Sequence, residues 1–161
     1  MEEYKIDPTI AYDVVELPSK GIHYTNNKKS VRVAYLTASD ENILSAPNLI
    51  ANNGVINELL KRKVLDKDLQ VDDIVDEDRQ AILIFLRNTA FGSEYILTTY
   101  DPKTEKEFNT TINLETLKIK DFNLSENSEG EYSYYLTKSK VDVTFKFLTR
   151  KQEDEIDKIK E

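Results

Sequence analysis

One histidine and one run of carboxylates are the residues of this chain whose chemistry could go beyond solvation. His23 could be the base of a Ser-His-Asp triad, but the Gly-x-Ser-x-Gly elbow that presents a serine nucleophile is absent. Lying in a turn-rich segment beside Tyr24, it reads as a surface or packing histidine. Asp66, Asp68, Asp72, Asp73, Asp76, Glu77 and Asp78 could bind calcium. An EF-hand loop needs alternating ligands, a central glycine and a bidentate glutamate; here the glycine is missing and the spacing differs. The run reads instead as helix capping plus solvated charge. Paired carboxylates could also serve glycoside chemistry, yet the chain has no Trp and no sugar-stacking cluster. The absence of cysteine excludes disulfides, thiolate metal sites and cysteine nucleophiles. The four glycines are isolated, so no P-loop or dinucleotide loop can form.

Composition narrows the classes further. A chain of 161 residues is one domain, or one with a small appendage, and can bury a sizeable core. Its net charge of -8 argues against non-specific nucleic-acid binding, which needs a basic footprint. Lys28-Lys29 and Lys61-Arg62-Lys63 are local basic spots and read as solvated surface. The longest apolar run, Ala81 to Leu86, is far below the ~20 residues of a membrane helix. The acidic start Met1-Glu2-Glu3-Tyr4 is not a signal peptide, so a soluble protein working where it is made is expected.

The elements that must position these residues follow from periodicity and turn chemistry. Residues 1–9 read as a flexible N-terminal arm. Tyr12 to Leu17 is a strand, closed by the turn Pro18 to Gly21. Val31, Val33 and Tyr35 alternate with Arg32 and Ala34 as a second strand. Thr37 and Asp40 have capping-box spacing for a short helix to Ser45, and a second helix runs from Pro47 or Asn48 to Lys63. Asp66 to Val75 is a loop with one helical turn. Asp76 to Ala90 is a central helix, with Ile82, Leu83, Phe85 and Leu86 in the core and Gly92 as its stop. Glu94 to Tyr100 and Glu107 to Leu114 make a hairpin, and a further strand includes Leu117 and Ile119. Ser125 to Gly130 is a flexible loop. Tyr132 to Thr137 and Val141 to Leu148 make another hairpin, and Arg150 to Glu161 is a charged helix with Ile156 and Ile159 on one side.

One internal echo stands out. Val31-Arg32-Val33-Ala34-Tyr35-Leu36-Thr37 and Val143-Thr144-Phe145-Lys146-Phe147-Leu148-Thr149 share spacing, end in Leu-Thr and lead into capped helices. Either a duplicated hairpin-helix unit or the frequency of strand-then-capped-helix accounts for it.

An ordered set of landmarks runs through the chain: Leu17-Pro18-Ser19-Lys20-Gly21, Leu36-Thr37-Ala38, Asp40-Glu41, Ile43-Leu44, Pro47-Asn48-Leu49-Ile50, Asp78-Arg79, the Phe91-Gly92-Ser93-Glu94-Tyr95 corner, and Leu148-Thr149 with Asp154-Glu155. In these the chain resembles the baseplate hub assembly proteins of T-even-type contractile-tailed bacteriophages. The resemblance implies a non-enzymatic part in hub assembly through contacts with other tail or hub proteins. It implies neither a nucleic acid, a membrane nor a small-molecule substrate as partner. The expected location is the host cytoplasm during assembly, and the virion tail. Many such relatives carry a Cys-Pro-x-Cys zinc knuckle on the hairpin at Asp101-Pro102-Lys103-Thr104. Here Asp101 and Thr104 replace the thiols, so no metal or cofactor is expected and a type I turn should close the hairpin.

The expected architecture is α+β, with two antiparallel hairpin units flanking a small helical cluster. It divides into the arm 1–9, a single domain 10–149 and a C-terminal helix 150–161, which the family carries further. Tyr132, Tyr134 and Tyr135, with Phe145 and Phe147, form an aromatic set suited to cross-strand packing, to an interface, or to stacking on single-stranded nucleic acid. The expected partner-binding residues are Tyr132, Tyr134, Tyr135, Ile156 and Ile159. The rival readings are a nucleic-acid-binding accessory factor and a small carboxylate-dependent hydrolase.

Overall fold

The computed structural model describes residues 7–46, 54–120, 123–127 and 130–159. Among these, three two-stranded antiparallel hairpins surround a helical cluster, an α+β arrangement. The first hairpin pairs β1 (Tyr12–Glu16) with β2 (Ser30–Ala34), Val15 opposite Val31. Alternation turns Val31 and Val33 inward, while Arg32 faces the other way.

The turns after β1 explain the Leu17-Pro18-Ser19-Lys20-Gly21 landmark. Lys20 and Gly21 both have positive φ, 54° and 81°. A Cβ on Gly21 would lie 2.6 Å from the Asn27 carbonyl carbon and 2.7 Å from the Lys28 oxygen. Only glycine lets the chain turn back this tightly.

After β2 a 3-10 turn (Ala38–Asp40) leads into α1 (Glu41–Leu44), with the Asp40 carboxylate accepting from the Thr37 N–H at 2.7 Å. The expected Ala38–Ser45 helix is thus split between two helix types. Of the next expected helix, 47–53 lie outside the described residues, and the described part is α2 (Val55–Lys63). A single 3-10 turn (Val71–Asp73) precedes α3 (Asp76–Phe91). Gly92 ends α3 at φ 80°.

The core gathers Leu17, Val31 and Val33 from the first hairpin, Leu59, Leu60 and Val64 from α2 and just after it, Ile74 and Val75, and Ile82 and Leu86 from α3. Leu83 and Phe85 are half-buried against it. Alternation at period 3.6 puts Ile82 and Leu86 on one stripe, so only that stripe is fully covered.

The second hairpin, β3 (Glu94–Asp101) with β4 (Lys106–Asn113), stands away from this core and has no buried residue. Its base is braced by Arg87, which donates to the carbonyls of Gly92 and Glu94, the latter at 2.7 Å, and lies over the Tyr95 ring. The closing loop runs one residue past the Asp101–Thr104 turn. Glu105 N–H donates to the Asp101 carbonyl at 2.9 Å, and Glu105 takes φ 55°, so the loop is wider by a residue. Asp101 closes it with its side chain, accepting from Lys103 N–H and Thr104 Oγ1. These bonds hold its carboxyl below the usual carboxylate range. Leu117 and Ile119 form no strand; a 3-10 turn (Leu114–Thr116) ends the pairing, and both side chains are exposed.

The third hairpin pairs β5 (Tyr132–Leu136) with β6 (Val141–Phe145), and α4 (Arg150–Asp157) follows.

Candidate functional site

Three aspartates tie the chain's distant segments together. Asp78, fully buried, accepts from Ser19 N–H at 2.8 Å, Ser19 Oγ at 2.6 Å and Tyr24 Oη at 2.6 Å. Tyr24 Oη in turn accepts from Val75 N–H at 3.3 Å. Burial, then the bond to Asp78, pushes the Tyr24 hydroxyl's pKa well above its ordinary value, so it stays a donor. Asp66 accepts from Arg32 N–H at 2.6 Å and Arg32 Nε at 2.8 Å, with Lys28 at 3.4 Å. Asp40 meets Lys63, which also donates to the Tyr35 carbonyl at 2.9 Å. For Asp40 and Asp66 burial favours the neutral acid, but the donors around each outweigh it and lower both pKa values.

This corrects two readings. The acidic run is not all solvated charge, since Asp66 and Asp78 are buried and saturated with donors. Nor is Lys61-Arg62-Lys63 all surface, since Lys63 is buried on Asp40. Among the described residues no group of three or more acidic or histidine side chains is placed to hold a metal ion. His23 packs against Tyr132 and Phe147, its ring centroid 5.0 Å from that of Phe147, with Nε2 3.6 Å from Glu77.

The aromatic set divides by register. Tyr132, Tyr134 and Leu136 lie on one face of the third hairpin with Phe145, Val143 and Val141 opposite them. Ser133 and Tyr135, with Thr144 and Asp142, lie on the other. The apolar face is graded along its length. Tyr132 is fully buried, stacked on Phe145 at 5.7 Å and edge-on to Phe147 at 5.5 Å. Beyond it Tyr134 is 50% exposed, and Leu136 and Val141 are exposed too. Tyr134 and Tyr135 thus point to opposite sides, and Tyr132 anchors the hairpin rather than offering an outer surface.

Helix α4 is tied down at its start. Thr149 N–H donates to Gln152 Oε1 at 3.0 Å and Gln152 N–H to Thr149 Oγ1 at 3.4 Å, a complete capping box. Val75 and Thr149 form an antiparallel bridge, and Arg79 reaches Glu153 at 3.4 Å. Twelve residues alone in water make a marginal helix; the capping box, the bridge and the Arg79–Glu153 pair hold the start of this one. Ile156 remains 41% exposed and Ile159 83%. Leu148, Arg150, Glu153, Ile156 and Asp157 line a shallow cavity of about 300 Å³. The third hairpin and α4 therefore offer apolar contact and fixed charge.

Residues 10–161 match the family described as T4 bacteriophage base plate protein. The chain belongs to that family. The match spans all three hairpins and α4, so this baseplate protein's family includes the surface just described. No curated protein and no solved structure matches the chain. Membership makes it a phage tail protein, whose partners are other baseplate or tail proteins. Among the described residues no helix is long and apolar enough to cross a membrane.

Proposed function

We propose that this baseplate protein acts in hub assembly by protein–protein contact rather than catalysis. Its contact surface is the outer part of the third hairpin together with α4. The observation that carries this is the apolar face beyond Tyr132, where Tyr134, Leu136 and Val141 stay exposed although the hairpin's inner end is locked in the core. A two-stranded hairpin is marginal in water, and a contiguous exposed apolar face marks an interaction surface. Ile156 on α4 and Ile159 just past its end are exposed as well. The buried carboxylates support the non-catalytic reading, because Asp66 and Asp78 have their oxygens occupied by structural donors. Tyr135, on the opposite face, would serve a second contact or the rim of the first.

The test is co-expression with the other tail proteins of the phage that encodes this chain, followed by affinity purification. Ile156→Asp should leave the fold intact and lower the recovered partner at least tenfold, the scale of losing one apolar anchor. Deleting 150–161 should abolish recovery. Wild-type recovery by both folded variants would place the interface elsewhere, with the Leu17–Tyr24 turn next in line.

A further inference from the structure

Among the described residues β3 and β4 are the longest strands, eight residues each, and no third strand pairs with either. Their outer edges therefore carry backbone groups without a ladder partner. Leu114 N–H donates to the Ser93 carbonyl at 2.9 Å, which fixes the alternation along β3. Tyr95, Leu97 and Thr99 bond β4 through their backbone, and Ile96, Thr98 and Tyr100 turn their backbone groups outward. Glu94 turns outward too, but Arg87 Nη2 already donates to its carbonyl at 2.7 Å. The two edges differ in chemistry. From Tyr95 to Tyr100 β3 has no charge, proline or glycine, and Ile96 is 69% and Tyr100 55% exposed. The other edge opens with Lys106-Glu107 and carries Asn109 and Asn113, residue types that blunt strand pairing. A long uncharged edge is a template for another strand.

We propose that the β3 edge pairs antiparallel with β3 of a second copy of this chain, about a two-fold axis at Thr98, joining two hairpins into one four-stranded sheet. The register follows from what is free. Centring on Thr98 sets that residue opposite its own copy and Ile96 opposite Tyr100 of the second copy. All three outward residues of both strands are then bonded, with about six hydrogen bonds in all. Moving the axis to Leu97 would instead set Tyr100 against Glu94, whose carbonyl Arg87 already occupies. Thr–Thr and aromatic–β-branched pairs are among the cross-strand contacts that stabilise a sheet. In this register Glu94 meets Pro102 and Asp101 meets Tyr95, so no like charges face each other. The net charge of -8 opposes association at long range, where salt screens it. A two-stranded hairpin is marginal in water, whereas a larger sheet supports itself. The same edge offered by both copies is the self-complementary contact that a two-fold requires. This edge is separate from the surface proposed on β5–β6 and α4, so either proposal can fail without the other.

The test uses the full chain and its lack of cysteine. Thr98→Cys and Asn109→Cys each place one thiol on opposite edges, at positions that face each other within the hairpin. A hydrogen-bonded antiparallel pair holds its Cα atoms about 5.5 Å apart, within disulfide reach. Under mild oxidation Thr98→Cys should therefore form covalent dimer at least tenfold faster than Asn109→Cys. Sedimentation equilibrium of the unmodified protein should show a dimer that dissociates on dilution. Ile96→Lys should raise its dissociation constant at least tenfold, because a charge blunts the edge. Thr111→Lys, opposite Ile96 on β4, should leave it unchanged. All four positions are exposed, so each variant should fold. A strictly monomeric protein, equal oxidation of the two thiols, or equal weakening by both lysines would overturn the proposal.

Discussion

Asp78 is the residue on which the N-terminal loop depends. Its carboxylate takes three donors from Ser19 and Tyr24, partners 59 and 54 residues away in sequence. Removing it leaves those donors buried without acceptors, and each such group costs about 1–3 kcal/mol. Asp78→Ala should therefore destabilise the protein by on the order of 3 kcal/mol or more in urea titration. A loss under about 1 kcal/mol would mean that water replaces the carboxylate. The sequence shows Asp78 only as the third of three acids at a helix start, where dipole and solvent explain it well enough. Local pattern carries no trace of a partner 59 residues upstream, so the buried role was illegible. The same holds for Lys63, whose neighbours Lys61 and Arg62 are indeed exposed and disguise it.

Elements were more legible than their partnerships. The alternation in β2, β3 and β5, the acids opening α3 and the two capping-box spacings all report local geometry, and the strands and α3 begin where those patterns put them, although they pair into three hairpins rather than the expected two units and β6 stops at Phe145. Local pattern misled where a tertiary tie or a turn's exact length decides. The Asp101 turn takes one more residue because Asp101 bonds Lys103, Thr104 and Glu105 together. The three tyrosines of β5 look like one cluster in sequence, yet period two sends Tyr135 away from the others. The glycines show how an element's end can be tight or loose. Gly21 and Gly92 both have φ near 80°, but a Cβ meets backbone at Gly21 and nothing within 4 Å at Gly92. Gly92→Ala should cost only the backbone strain, on the order of 1–3 kcal/mol. Gly21→Ala should cost clearly more, because the backbone at Asn27 and Lys28 must also move. Equal shifts in thermal midpoint for the two variants would show that the turn yields freely.

At the scale of the molecule, the same three aspartates join distant segments, and two of them, Asp40 and Asp66, make the fold sensitive to acid. Asp40 holds α2 to the end of β2, Asp66 holds β2 to the segment after α2, and Asp78 holds the Ser19–Tyr24 loop to α3. The folded pKa values of Asp40 and Asp66 lie below the ordinary 3.8. A depressed carboxyl contributes stability above its unfolded pKa, and that contribution is lost as pH falls through the folded value. The protein should therefore keep its midpoint down to about pH 5 and lose it steeply below about pH 4, where unfolded aspartates take up protons. Asp66→Asn should lower stability at neutral pH and flatten the acid limb, since the amide has no proton to gain. Asp40→Asn should do the same through Lys63. A midpoint that stays constant from about pH 6 to about pH 3 would show these carboxylates to be energetically idle.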